Sequence, residues 1–167
     1  MRNQQLTEHF SLDELLKSGI ADRNGFTEQY NPSDEIVLNL KNLCINVLEP
    51  LRAAISERRG VDTPVIVTSA YRCARVNGTA PGSAIHSQHM LGQAADTHVE
   101  GLSIEAWYQF IKIESGIHFD QLIQEHDMWA HISFSDHPIQ RGDCLRAAGT
   151  IPAPIYTNDG LGSFKGL

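Results

Sequence analysis

Residues 87–96 read Ser-Gln-His-Met-Leu-Gly-Gln-Ala-Ala-Asp, a glycine-containing loop that ends in a carboxylate. His89 lies near its start, and Asp96 follows seven residues later, within a short run that has the composition of a strand. Imidazole and carboxylate groups are both ligands that zinc accepts in proteins. The loop therefore indicates a metal site at the beginning of a strand.

A second pattern lies about 35 residues downstream of Asp96. Residues 119–125 and 129–134 flank a tight connection at 126–128, which predicts a β-hairpin. Strand alternation places His131 on the same face as Trp129 and Ser133. Two histidines and one carboxylate leave a fourth position for water, as in a catalytic zinc site.

Glu125 ends the first strand of this hairpin, where its carboxylate can reach a water held near His131 and act as a general base. Each residue also has a simpler interpretation. A single histidine is more often a hydrogen-bonded structural residue than a ligand. An aspartate at the start of a strand usually forms a turn, and a glutamate beside a turn is usually solvated.

The rest of the chain predicts helices followed by short strands. Ser11 opens a short helix that ends near Gly19, and the segment 31–35 begins an amphipathic helix that runs to about Arg58, with Pro50 expected to kink or interrupt it near Glu49. Three further elements are predicted as a strand over 65–68, a long ordered loop over 71–92 and a helix over 103–112. Glycine, proline and small residues predict an irregular tail over 147–167.

Length and charge restrict the class of protein. The chain of 167 residues is one domain long, and its 41% hydrophobic content is typical of a globular protein. A net charge of -7 argues against nucleic acid and anionic membranes as partners. No apolar run has the roughly 18 residues of a membrane span, and the N-terminus has no signal-peptide pattern. We therefore expect synthesis in the cytoplasm without a signal peptide. We also expect the protein to be a monomer.

The pattern S-x-H-x-x-G-x-A-x-D, followed by W-x-H, resembles the zinc D-alanyl-D-alanine carboxypeptidases and their relatives. These relatives include bacteriophage endolysin peptidases and, more distantly, hedgehog signalling domains. Segments 46–52, 69–72 and 119–123 also resemble elements of this family, so that the similarity covers roughly residues 8–146.

The resemblance implies zinc ligands at His89, Asp96 and His131. It implies Glu125 as the base that moves a proton from the attacking water to the leaving amine, and Arg72 as the group that binds the substrate's carbonyl oxygen or carboxylate. Some branches place the base three residues before the last ligand; Met128 occupies that position here, and Asp127 is a reserve candidate. Around the metal or the substrate the resemblance places Ser87, Ser133, Gln93 and Trp129.

The fold that this implies is α+β, with N-terminal helices packed on a small antiparallel sheet that carries the zinc site. The expected arrangement is a zinc peptidase domain over 1–146 and the irregular tail over 147–167. The expected function is hydrolysis of amide bonds in peptidoglycan stem peptides, by a carboxypeptidase or an endolysin-type endopeptidase that acts on the cell wall after phage-type release. The alternative is a non-catalytic, zinc-stabilised binding module of the same fold.

Overall fold

The computed structural model describes residues 4–151 and 153–162. The domain predicted over 1–146 and the tail predicted over 147–167 extend into residues 1–3, 152 and 163–167, which lie outside the described residues. None of the described helices has the length and apolarity that crossing a bilayer requires.

Serine side chains begin four of the described helices. Ser11, Ser18, Ser33 and Ser103 each accept a hydrogen bond from the backbone N–H three residues later, which satisfies a donor that the first turn would leave unpaired. The α-helices are α1 (Leu12–Leu16), α2 (Gly19–Asn24), α3 (Asp34–Leu43), α4 (Glu49–Arg59), α5 (Ala74–Thr79) and α6 (Ile104–Gln109). Short 3-10 helices are found at Thr27–Tyr30 and Gln88–Leu91.

The helices α3 and α4 form one continuous element through a π-helical turn at Cys44–Leu48. Pro50 has no N–H to donate to the carbonyl of residue 46, and the wider turn just before it accommodates that missing bond. The interruption predicted near Glu49 therefore takes the form of a π turn, and the helix continues to Arg59. Its apolar stripe is fully buried and consists of Leu40, Leu43, Val47, Leu51 and Ile55.

The six-stranded sheet has the order β1-β2-β4-β3-β5-β6. Neighbouring strands are antiparallel except β3 and β5, which are parallel, so the predicted α+β class is confirmed. The strands are β1 (Ile66–Ser69), β2 (Ala94–His98), β3 (Gln121–Glu125), β4 (Trp129–Ser133), β5 (Asp143–Thr150) and β6 (Ala153–Leu161).

The two faces of the sheet have different roles. Ala95, Ile132 and Leu122 are paired neighbours in one row and belong to the hydrophobic core formed with the helices. Because side chains alternate along a strand, the next row, which contains Asp96 and His131, lies on the opposite face. Packing of one row in the core thus determines that Asp96 and His131 lie on the face of the sheet opposite the core, which is called the free face below.

Two predictions about irregular segments need correction. The loop predicted over 71–92 contains α5 and the 3-10 helix Gln88–Leu91. The tail predicted to be irregular contributes β6, which pairs with β5 along its length, and β5 itself extends to Thr150. The first strand of this hairpin pairs with β3, about 20 residues earlier in the chain, and this pairing is not visible in the local composition of small and turn-forming residues.

Candidate metal centre

Three side chains from three separate elements meet on the free face of the sheet. Asp96 on β2 and His131 on β4 are directly paired residues. His89 comes from the 3-10 helix Gln88–Leu91. Ser87 caps the start of this helix, and Gly92, which has a left-handed backbone conformation, caps its end. The hydroxyl of Ser87 accepts a hydrogen bond from the His89 N–H (3.3 Å), so this serine positions the backbone of the histidine.

The three potential ligand atoms form a nearly equilateral triangle. His89 Nε2 lies 3.1 Å from His131 Nδ1, and each nitrogen lies 3.2 Å from Asp96 Oδ1. Ligand atoms about 2.0–2.1 Å from a tetrahedral zinc ion lie about 3.3 Å from one another. The spacing therefore fits three corners of a zinc tetrahedron, and within the described residues this is the cluster of three with the potential to hold a metal ion.

The protonation states of His89 and Asp96 also suit the binding of a cation. His89 Nδ1 donates to the backbone carbonyl of Ala70 (2.6 Å), which leaves the lone pair of its Nε2 directed at the other ligands. Burial lowers the pKa of His89, so that the neutral ring is favoured. Burial would raise the pKa of Asp96, but the two histidines and Arg72 hold it far below its usual range. The lone pair of His89 Nε2 and the ionised Asp96 carboxylate thus converge on one point, beside His131 Nδ1.

Arg72 lies beside the ligands and is tied to one of them. Its Nη2 donates to Asp96 Oδ2, and its Nε donates to the Ser69 hydroxyl (2.9 Å). The backbone N–H of Arg72 also donates to the His89 carbonyl (3.1 Å). Arg72 therefore orients two of the three predicted ligands, in addition to the substrate contact that the family resemblance implies for it.

Glu125 is the last residue of β3 and lies opposite Trp129 across the hairpin. His126 and Asp127 both have positive φ, and Met128 N–H donates to the Glu125 carbonyl (2.8 Å), which closes a tight turn. Burial raises the pKa of Glu125, although the nearby His131 opposes this effect. A half-buried carboxylate with a raised pKa, beside possible metal ligands, is suited to proton transfer.

A cavity of about 360 Å³ surrounds the ligand triangle. Its lining includes all three predicted ligands together with Arg72, Glu125 and Trp129. The site predicted from the sequence is thus assembled in one cleft with its arginine and its acid.

Other predicted residues lie elsewhere. Ser133 is buried, and its hydroxyl accepts from the Gln121 N–H (3.1 Å) instead of contacting a ligand. Gln93 is buried, and its backbone carbonyl accepts a hydrogen bond from the Phe134 N–H (2.9 Å). Asp127 is exposed and accepts a hydrogen bond from Gln124. Neither Asp127 nor Gln93 is among the described residues that line the cavity, which leaves Glu125 as the acid in position.

Two groups of residues at the site were missed in the sequence. One supports the histidine loop: Gln88 and Arg141 line the cavity, and both donate to the buried carboxylate of Asp120 (3.0 Å from Gln88; 2.7 and 2.9 Å from Arg141). The other is Ile151, Pro154 and Tyr156, on or next to β6. No local pattern indicated this hairpin, because glycine, proline and small residues are frequent in both segments.

A family model described as Peptidase M15 matches residues 8–133 of the chain. The matched segment contains all three potential ligands, Arg72 and Glu125, and it ends at Ser133, the last residue of β4. No curated protein matches the chain.

Proposed function

Because the chain belongs to the Peptidase M15 family, we propose that it is a zinc metallopeptidase that hydrolyses amide bonds in peptidoglycan stem peptides. Membership of the family makes the chain a peptidase of the metal-dependent type. The substrate, the roles of individual residues and the choice between carboxypeptidase and endopeptidase action belong to the proposal.

The observation that carries this proposal is the ligand triangle with an acid beside it. Three donor atoms lie 3.1–3.2 Å apart and provide two imidazoles and one carboxylate, which leaves a coordination position open to water. Glu125 lines the same cavity from the end of the neighbouring strand. A structural zinc site would instead be closed by a fourth protein ligand.

In this mechanism His89, Asp96 and His131 would hold the zinc ion. When bound, zinc supplies Lewis acidity that favours deprotonation of water and polarises the scissile carbonyl. Glu125 takes the proton from the attacking water and returns it to the leaving amine, which its raised pKa favours. Arg72, always charged, keeps Asp96 ionised and offers its remaining N–H groups to substrate oxygen.

Digestion of purified peptidoglycan, followed by mass spectrometry of the soluble fragments, tests the proposal. We expect new fragments from the zinc-loaded protein, loss of these fragments after chelation and their return when zinc is added back. Release of free D-alanine indicates a carboxypeptidase, whereas cleavage within the stem or cross-bridge indicates an endopeptidase. A zinc-loaded protein that binds peptidoglycan but releases nothing would contradict the proposal and favour the non-catalytic binding module.

Action on the cell wall after phage-type release and a monomeric state also stay predictions. Assays on intact cells, with the protein added from outside or expressed inside, distinguish the side from which it reaches its substrate. Light scattering of the purified protein measures its mass in solution.

A further inference from the structure

One row of paired residues runs across four strands on the free face of the sheet. Trp129 on β4 pairs with Glu125 on β3, Glu125 pairs with Ala147 on β5, and Ala147 pairs with Tyr156 on β6. Directly paired residues point to the same side of a sheet. Tyr156 therefore shares a face with Glu125, at a distance of two strands, or about 10 Å between backbones.

The residue between them is small. Ala147 carries only a methyl group and is buried, so no long side chain separates Glu125 from Tyr156 within the row. A tyrosine side chain is long enough to cover most of that distance. Consistent with this, Tyr156 and Glu125 both line the cavity around the ligand triangle.

Tyr156 lies in a part of the chain that the family model does not cover, since the matched segment ends at residue 133. It is 46% exposed although it is a large aromatic residue. Exposed aromatic side chains at the edge of a cleft commonly contribute to binding, because they combine a large apolar surface with a polar end. A ligand bound in the cavity would cover the ring of Tyr156, which explains why a large aromatic side chain is exposed there.

The hairpin that carries Tyr156 is fixed from the opposite side of the sheet. Arg146 on β5 donates to both carboxylate oxygens of Glu105 on α6 (2.6 and 2.9 Å) and to Asp159 on β6 (3.1 Å). Tyr108 on α6 also donates to Asp159 (2.9 Å), and Lys112 forms an ion pair with it (3.0 Å). These bonds hold β5 and β6 against the helix, so that the backbone position of Tyr156 is set before substrate binds.

We propose that Tyr156 is a substrate-binding residue of the cleft, whose hydroxyl donates a hydrogen bond to a carbonyl or carboxylate oxygen of the stem peptide that lies beside Glu125. This inference rests on the proposed function. Burial, together with the nearby charges of Glu125 and Asp96, raises the pKa of Tyr156. The hydroxyl thus keeps its proton at neutral pH and remains a donor.

The test compares Tyr156→Phe and Tyr156→Ala with Ile155→Ala, a control on the same strand. Ile155 is 66% exposed and alternates with Tyr156, so it points away from the site. We expect Tyr156→Phe to raise KM for a soluble stem peptide roughly three- to tenfold, as expected for loss of one hydrogen bond. We expect Tyr156→Ala to raise KM roughly tenfold or more, because the ring contact is also lost. The control should match the wild type.

Zinc content and melting temperature are measured for every variant, because a purely structural role would change them. Unchanged zinc content with a raised KM supports the proposal. A KM within twofold of the wild type for both Tyr156 variants would overturn it, as would a rise in KM that occurs only with loss of zinc. If the wild-type protein cleaves no stem peptide, the proposed function itself fails, which is a separate result from an unaffected Tyr156 variant in an active enzyme.

Discussion

Arg72 donates a hydrogen bond to Oδ2 of Asp96, while Oδ1 of the same carboxylate lies 3.2 Å from His89 Nε2 and from His131 Nδ1. The two oxygens thus have separate tasks: one is fixed by the guanidinium, and the other faces the metal position. Groups that fix a ligand in this way affect metal affinity even though they do not contact the ion.

Replacement of Arg72 should therefore weaken zinc binding. We expect Arg72→Ala to lower zinc affinity about 10- to 100-fold, because Asp96 loses its partner and its fixed orientation. Competition with a chromogenic chelator measures the affinity. Arg75→Ala is a matched control, since Arg75 is exposed and its guanidinium contacts Glu28 (3.3 Å) and the Phe26 ring (4.0 Å to the centroid), neither of which lines the cavity. Equal zinc affinity for Arg72→Ala and the wild type would limit Arg72 to a role in substrate binding.

Removal of the Glu125 carboxylate should stop proton transfer but preserve the metal site. Since Glu125 is not one of the three ligands, we expect Glu125→Gln and Glu125→Ala to keep their zinc and to lose about 10² to 10⁴ in turnover. The measurement is kcat on a soluble stem peptide, with zinc content determined in parallel. Asp127→Asn is an independent test of which residue is the base. A larger loss of kcat for this variant than for Glu125→Gln would show that Asp127 is the base.

The cluster of His89, Asp96 and His131 was predictable because sequence spacing and strand alternation favour it. The SxHxxGxAxD pattern places His89 on a tight turn before β2, and alternation along β4 separates His131 from the core residues Ala130 and Ile132. The helix caps at Ser11 and Ser103 were predictable for a similar reason, since a cap depends on residues within one turn.

The hairpin of β5 and β6, which contributes Tyr156 to the cavity lining, was not predictable from local sequence pattern. The parallel pairing of β5 with β3 joins residues about 20 positions apart in the sequence, and β6 is an edge strand with mostly exposed side chains. An exposed edge strand needs no apolar alternation, so its composition resembles that of a loop. For this reason Tyr156 was absent from the predicted site.

Zinc should stabilise the fold, because the three potential ligands belong to separate elements that the ion would hold together. We expect a gain of about 2.7 kcal/mol in the free energy of unfolding when free zinc is 100 times its Kd. Thermal unfolding with and without chelator measures this gain. His131→Ala removes one ligand and should abolish the zinc-dependent shift. A shift that persists in this variant would place the stabilising ion elsewhere.

The Asp120 carboxylate should make stability depend on pH in acid. Burial would raise its pKa, but hydrogen bonds from Arg141 and Gln88 hold it below its ordinary value of 3.8. The stabilisation is therefore present above about pH 4 and is lost as the pH falls through the lower pKa of the folded state. We expect Asp120→Asn to cost about 1–3 kcal/mol at neutral pH, and this difference from the wild type to shrink in acid. Denaturant unfolding at several pH values measures it. A difference that stays constant down to pH 2 would contradict the role of the charge.

Gly92, which ends the turn that carries His89, should not tolerate a side chain. Its φ is +68°, and a Cβ there would lie 2.9 Å from the Ile36 carbonyl oxygen and 3.2 Å from Leu40 Cγ. We expect Gly92→Ala to destabilise the protein by about 2–4 kcal/mol, from backbone strain and overpacking, and to weaken zinc binding. Gly25→Ala is the matched control, because Gly25 has nearly the same φ (+67°) with nothing within 4 Å of the added Cβ. It should cost only the strain, about 1–2 kcal/mol, with zinc binding unchanged. Equal losses of stability in the two variants would show that helix α3 does not restrict the turn.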